Sequence, residues 1–439
     1  MISFKKRLYS TKWCLHHPTS FVRFRDILEN ERASLDAMEA MHRESLRLIV
    51  TKAYTETKFY KRHYGAAGFE LGDMQQDNWF ERLPVVTKDD IRGNFDDFVS
   101  LGNRKWMKIS TTGGSTGVPL MTGYDKRLPE EIYSWRLQNW FGVCPWDDHA
   151  YVWRNVRRSF VAKCVNDFAW WPTRHLKLDA SVIDESQIRR FIQKFNKLKP
   201  TLLWGYVGAV SQVARYVIDN GIEVHSPKFV WTTSAPLTSS CRRVIENAFK
   251  SPVCDQYGSC EIRWIAAQCP ECKGLHVNME HVHVEFVDNK NHSVDTGSYG
   301  RVLLTNLEDE VFPLIRYENG DRGRWLGKSC SCGRTLPCMD SVKGRESESF
   351  ILPSGKTING EFLTTIFDKT PDLVSGFRVV QHKNLSITIE YVPSGDETKI
   401  ITILDDFALK INNEVPISYK RCNSIGHDRG KSRYVIRER

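Results

Sequence analysis

Apolar residues recur at helical spacing between Asp36 and Tyr60, at Met38, Met41, Leu46, Ile49, Val50 and Ala53. That spacing places them on one face of a helix. Leu83-Pro84-Val85-Val86-Thr87-Lys88-Asp89-Asp90 follows and reads as a turn in which Thr87 caps another helix. The rhythm changes between about 184 and 256. A helical face of Ile188, Phe191, Ile192 and Phe195 gives way to the strand-like Thr201-Leu202-Leu203-Trp204, then to a helix ending at Asn220-Gly221. Strand-like Phe229-Val230-Trp231-Thr232 comes next, then a helix from Arg242 to Phe249, then Pro252-Val253-Cys254. Short apolar runs separated by helices of this length imply parallel β-α-β units with helices on the sheet faces. In such sheets ligands sit beyond the carboxyl ends of the strands.

From His281 the texture becomes β-rich, with His283-Val284-Glu285-Phe286-Val287 and Arg301-Val302-Leu303-Leu304 suggesting a subdomain. After Gly344-Arg345 come two strands (Phe377 to Gln381, Leu385 to Tyr391), a helix over Lys399 to Ile411 and strand-like Val415 to Tyr419. The expected fold class is therefore α/β. A large N-terminal domain, residues 1–344, combines mixed and parallel sheets flanked by helices with a β-rich subdomain at about 269–340, and residues 345–439 form a small C-terminal α/β domain.

A chain of 439 residues exceeds what one hydrophobic core serves, which agrees with this division. No stretch approaches the eighteen or so uncharged apolar residues of a membrane span. The start Met1-Ile2-Ser3-Phe4-Lys5-Lys6-Arg7 is basic with no apolar run behind it, so a secretory signal is not expected and a cytoplasmic location is. The net charge of +9 is spread along the chain. It suits anionic small molecules such as nucleotides or coenzyme A and does not call for nucleic acid.

Twelve cysteines in a chain of this kind point to metal binding or burial rather than to disulfides. Eight of them (Cys14, Cys144, Cys164, Cys241, Cys254, Cys260, Cys338, Cys422) stand isolated. The other four form two tight pairs, Cys269-Pro270-Glu271-Cys272 and Cys330-Ser331-Cys332, with His276 between them. Such knuckles bring soft thiolates to one tetrahedral ion, and two from separate hairpins make a closed structural zinc site. Five candidates compete for four places, and knuckle chemistry alone selects the four cysteines.

Three further motifs carry chemistry. Ser110-Thr111-Thr112-Gly113-Gly114-Ser115-Thr116-Gly117 holds five hydroxyls and three glycines, a composition that can wrap a polyphosphate or serve as a flexible linker. No lysine follows Gly117, so the ordinary phosphate loop of nucleoside triphosphatases is excluded. Asp255-Gln256-Tyr257-Gly258-Ser259-Cys260-Glu261 follows the last parallel strand. Tyr257 can stack on a base, Gly258 allows close backbone approach, and Glu261 can hold magnesium. Tyr317-Glu318-Asn319-Gly320-Asp321 reads as a strand ended by a tight turn that delivers a carboxylate suited to ribose hydroxyls, and Asn-Gly is also a plain hairpin signal.

In this order, followed by Gly344-Arg345 and Gly430-Lys431, these motifs resemble the adenylate-forming ligase superfamily. Within it the chain is similar to the phenylacetate-CoA ligase-like family, including its branch associated with capsular polysaccharide genes. The resemblance runs from about residue 40 to the end. It takes in Ala53-Tyr54, Phe59-Tyr60, Leu83 to Lys88 and Pro313-Leu314-Ile315-Arg316-Tyr317.

The resemblance implies that Thr111, Thr112, Gly113, Gly114, Ser115, Thr116 and Gly117 hold the ATP β- and γ-phosphates. It implies that Thr233-Ser234-Ala235-Pro236 lies against adenine, with Tyr257 and Gly258 on the stacking side. Glu261 becomes the magnesium ligand, Asp321 and Arg345 the ribose ligands, and Lys431 the lysine that the small domain swings into the active site. Lys431, Glu261 and Thr116 are the catalytic candidates. Two departures stand out: Cys260 replaces the usual Thr, and Ser347 stands where a hinge aspartate is common. Relatives of this kind carry a Cys, a His seven residues on and then Cys-x-Cys, which selects Cys269, His276, Cys330 and Cys332 for zinc and leaves Cys272 spare.

The implied activity is ATP- and Mg2+-dependent activation of a small carboxylic acid as an acyl-adenylate, passed to coenzyme A as a thioester. The rival acceptor is an amine on a sugar or amino acid, and the rival class is a non-catalytic nucleotide-binding scaffold. A homodimer is compatible with this reading. Trp135, Trp140, Trp204, Tyr206 and Trp231 are candidates for an acyl pocket or for the core; Arg154, Arg157 and Arg158 suit an exposed face or an anionic acceptor.

Overall fold

The computed structural model describes residues 4–438 apart from 113–119, 154–169, 181–182, 272, 328–329, 343–349, 355–356, 359–362, 364–365, 368–369, 371–372, 411–413 and 426–434. It divides into two compact units. One comprises 1–9, 141–255 and 343–439, the other 10–140 and 256–342. Among the described residues no helix is long and apolar enough to cross a membrane.

The first unit is built on five parallel strands in the order Val253–Tyr257, Phe229–Thr233, Leu202–Tyr206, His149–Trp153, His175–Asp179. The β-α-β reading of residues 184–256 therefore holds. Helix Glu185–Leu198 starts where Asp184 accepts a hydrogen bond from the Gln187 amide, at 2.8 Å, and stops where Lys199 turns left-handed at φ 51°. Its stripe of Ile188, Phe191, Ile192 and Phe195 packs with Ala209, Val210 and Val213 of helix Val207–Asp219 over Val152, Leu203 and Val230 of the sheet. Gly205 is dictated by that packing: a Cβ there would lie 2.7 Å from the Val152 carbonyl oxygen. Tyr151, Trp204 and Trp231 stand side by side in register, with the two indoles stacked at 5.0 Å and 20°. At the opposite strand ends the His149 and His175 rings stack at 5.8 Å, and burial lowers their pKa values to about 4 and about 3.

The described C-terminal residues form a four-stranded sheet in the order Ile417–Arg421, Ile387–Pro393, Val374–Gln381, Val435–Arg437, together with helix Glu397–Lys410. Its core of Phe377, Val379, Ile389, Ile400 and Leu404 also includes Val207 and Cys241 from the two helices that flank the parallel strands. Arg215 of the first of those helices donates to the Ser375 carbonyl oxygen.

In the second unit the single helix read over 36–60 is two, Leu35–Glu56 and Lys58–Ala66. Thr57 is extended (ψ 144°), donating to the Ala53 carbonyl at 2.8 Å and accepting from the Tyr60 amide at 3.1 Å. A threonine hydroxyl that competes for backbone partners breaks the run and caps its continuation. Thr87 caps Lys88–Asn94 with a full capping box through Asp90. Three antiparallel strands follow, Val282–Val287, Gly300–Asn306 and Tyr317–Gly323. Val86 bridges Tyr317 at the outer edge. Met107–Thr112 pairs antiparallel with Leu120–Asp125, so Thr111 and Thr112 belong to a strand rather than to a free loop.

Candidate functional site

The Tyr317–Gly323 strand carries the site. Tyr317, Asn319, Asp321 and Gly323 are buried while Glu318, Gly320 and Arg322 are half-buried, so the odd positions share a face. Leu303 pairs with Glu318, yet Arg301 pairs with Arg322, and the register slips between them. Residues 319–321 therefore bulge opposite Val302, with Gly320 at φ 85°, a conformation that costs a non-glycine residue. Asn319-Gly320 is thus a mid-strand bulge and not the hairpin turn read from the dipeptide. The bulge aims Asp321 at Tyr257, which belongs to the same unit.

There the Tyr257 hydroxyl donates to Asp321 Oδ2 at 2.8 Å. Asn319 Nδ2 donates to the same oxygen at 2.7 Å and to the Tyr257 hydroxyl at 2.6 Å. Tyr317, two residues earlier on the strand face, donates to Glu261 Oε1 at 3.1 Å. Ser259 shapes the intervening turn, its Oγ accepting from the Glu261 and Ile262 amides at 3.2 and 3.0 Å. Gly258 is required by closeness: a Cβ would lie 3.1 Å from the Trp264 amide nitrogen. Lys88 reaches the bulge from outside and donates to the Asn319 carbonyl at 2.8 Å. Tyr257, Glu261 and Asp321 are in this way gathered through Tyr317 and Asn319. The sequence reading missed those two partners and Lys88, although the spacing 317, 319, 321 already implied a shared face.

Ser234, Ala235 and Pro236 belong to the other unit, directly after the Phe229–Thr233 strand. Ser234 is exposed at φ 73° and Ala235 and Pro236 are half-buried. Gly113, Gly114, Ser115, Thr116, Gly117, Arg345, Lys431 and Cys272 lie outside the described residues.

A second cluster forms in the same unit as Asp321. The ligand atoms of Cys269, His276, Cys330 and Cys332 all lie within 4.8 Å of one another. Cys269 Sγ and Cys330 Sγ are 3.7 Å apart, and Cys332 Sγ is 3.4 Å from His276 Nε2. Tetrahedral zinc with ordinary bond lengths separates two sulfurs by about 3.7 Å and sulfur from nitrogen by about 3.5 Å, so the donor set fits. His276 Nδ1 meets the Leu336 carbonyl at 3.1 Å, which puts the ring proton there and turns the Nε2 lone pair toward the sulfurs. Burial pushes the Cys330 thiol up to about 11. Burial acts the same way on Cys332, yet hydrogen bonds from the Arg334 backbone and guanidinium outweigh it and hold that thiol below its usual value. Arg334 is fixed in turn by Glu31 at 3.1 Å and lies 4.6 Å over the Trp140 ring. Cys338 is not isolated, since its Sγ lies 3.3 Å from His276 Nδ1.

No family model matches the chain. Protein CapK of Staphylococcus aureus is 30% identical over 262 residues, which cover 55% of this chain and 53% of CapK, so the match spans about half of that relative's length. Phenylacetate-coenzyme A ligase of Escherichia coli strain K12 is 24% identical over 335 residues, covering 73% of this chain and 74% of that enzyme. Among solved structures, 2-hydroxyisobutyryl-CoA ligase in its postadenylation state superimposes with a TM-score of 0.73 at 20% identity, covering 93% of this chain and 91% of that one. The fold is that of the adenylate-forming ligases. The curated relatives to which the chain is similar are CapK and phenylacetate-coenzyme A ligases.

Proposed function

We propose that the chain is an ATP- and magnesium-dependent ligase that activates a small carboxylic acid as an acyl-adenylate and passes the acyl group to coenzyme A. The observation that carries this reading is the hydrogen-bonded set of Tyr257, Asn319 and Asp321 at the carboxyl end of a parallel strand, where such sheets receive nucleotides. Asp321 accepts hydrogen bonds from ribose hydroxyls, while Tyr257 offers a ring face to the base, and Ser234, Ala235 and Pro236 are the further adenine contacts of this reading. Glu261, steadied by Tyr317, is the residue that would hold magnesium, whose chemistry is to neutralise phosphate oxygens. A carboxylate attacking the ATP α-phosphorus brings anions together, and Lys431 supplies the compensating charge while Thr111 to Gly117 steady the leaving pyrophosphate. Arg345 begins a small mobile domain, 345–439, that carries Lys431. The substrates place the reaction in the cytoplasm.

An amine acceptor in surface polysaccharide synthesis is the second reading, and the similarity to CapK favours it. Zinc, held by Cys269, His276, Cys330 and Cys332, has a structural role here, because four protein ligands leave no open coordination place. Exchange of labelled pyrophosphate into ATP, run across a broad panel of acids, tests the ligase reading. Exchange with one acid class is the expected result, and product analysis with coenzyme A or amines then names the acceptor. Failure of the whole panel, together with no ATP binding, favours the non-catalytic scaffold.

A further inference from the structure

Asn319 is 4% exposed, and its side chain satisfies three partners at once. The Asp321 backbone N–H can only donate, so the amide atom it meets at 3.0 Å is the oxygen. Nδ2 is therefore the atom that faces both the Tyr257 hydroxyl and Asp321 Oδ2, at 2.6 and 2.7 Å. Tyr257 donates to that same Oδ2 at 2.8 Å. The three side chains close a ring of hydrogen bonds in which each orients the other two. Outside the ring, Lys88 holds the Asn319 carbonyl at 2.8 Å and Gly320 supplies the left-handed turn, φ 85°.

An amide is the group this geometry demands. A hydroxyl has one proton and could serve only one of the two acceptors. A carboxylate has none and would set a second negative charge against Asp321.

We propose that Asn319 is a positioning residue that locks the Tyr257 ring and the Asp321 carboxylate into one rigid element, so that a nucleotide's base and ribose hydroxyls are recognised together. The proposal rests on the ligase reading above and predicts something that reading does not: discrimination for the ribose hydroxyl depends on a residue that need not touch the nucleotide.

The experiment is pyrophosphate exchange with ATP and with 2′-deoxy-ATP on the full chain, for wild type, Asn319→Asp and Asn319→Ala. Both variants are expected to raise the KM for ATP about tenfold, the scale of a charge-assisted hydrogen bond, with kcat changed by much less. The wild type's preference for ATP over 2′-deoxy-ATP should collapse toward unity. Tyr257→Phe removes one hydroxyl of the ring while leaving every residue of the bulge unsubstituted, and it should lose the same preference even if the Asn319 variants fail to fold. Unchanged KM and unchanged ribose preference in folded Asn319 variants, or unchanged preference in Tyr257→Phe, overturns the proposal. Absence of exchange in the wild type is a failure of the ligase reading instead. Calorimetric binding of ATP against 2′-deoxy-ATP to the same variants then still decides the role of Asn319.

Discussion

Two clusters share the unit formed by 10–140 and 256–342, and they are finished in opposite ways. The thiol–imidazole cluster turns inward. Its four ligand atoms face one another, and Leu336, Arg334, Glu31 and Trp140 close around it. The Tyr257–Asn319–Asp321 ring has its hydrogen bonds inside and a half-buried tyrosine and glutamate at its margin. A site whose every donor is directed at a common centre stabilises the fold. A site that uses one buried side chain to aim two others has the preorganisation that the proposed nucleotide site requires.

Perturbing one cluster at a time separates these roles. Asp321→Ala should have the largest effect, lowering kcat/KM for ATP about 10³-fold, as expected for two charge-assisted hydrogen bonds, with a stability loss of only about 1 kcal/mol because the buried Asn319 amide keeps Tyr257 as a partner. Cys330→Ser should do the reverse. Stability falls by on the order of 3 kcal/mol, the range for a weakened metal site, elemental analysis shows less than about half an equivalent of zinc, and exchange per folded molecule is retained. If Cys330→Ser abolished exchange while the melting temperature held, the division between the clusters would be wrong.

Acid provides a control from the other unit. His149 stays neutral in the folded chain down to about pH 4 because it is buried, whereas in the unfolded chain it takes up a proton below about 6.5. The unfolded state binds more protons in that window, so stability falls as pH drops from about 6.5 toward 4. Denaturant titrations at pH 7 and pH 5 should show His149→Gln losing about 1–2 kcal/mol less than wild type over this interval, with no change in ATP discrimination. Smallest of all, Thr87→Ala removes a helix cap beside Lys88 and should cost about 1 kcal/mol while raising the KM for ATP less than twofold. A larger kinetic effect would mean that the helix start is part of the nucleotide site.

The parallel strands were readable because their flanking helices keep a clean apolar stripe, as Ile188, Phe191, Ile192 and Phe195 do. Strands His149–Trp153 and His175–Asp179 were not, because the first mixes His149, Tyr151 and Trp153 with only two small apolar residues and the second offers only Leu176 and Leu178 between polar positions. Local chemistry overrode pattern at Thr57, where one hydroxyl divides a continuous apolar face. At the candidate site the residue types were legible and the geometry was not. Asp321 and Tyr257 are sixty-four positions apart, and only a bulge that the Asn-Gly dipeptide disguises as a turn brings them together. Cys338 looked isolated for the same reason, since its partner, His276, comes from a strand pair distant in sequence.

The Val86 bridge has a further consequence. Tyr317–Gly323 is the last strand of its sheet, and an outer strand left bare is a template for pairing with other chains. Val86 donates to the Arg316 carbonyl at 3.1 Å and accepts from the Glu318 amide at 2.9 Å, and Lys88 takes the Asn319 carbonyl. The edge is thus occupied by the chain's own backbone and finished with a positive charge. The segment that steadies the bulge also acts as a guard against sheet-to-sheet aggregation.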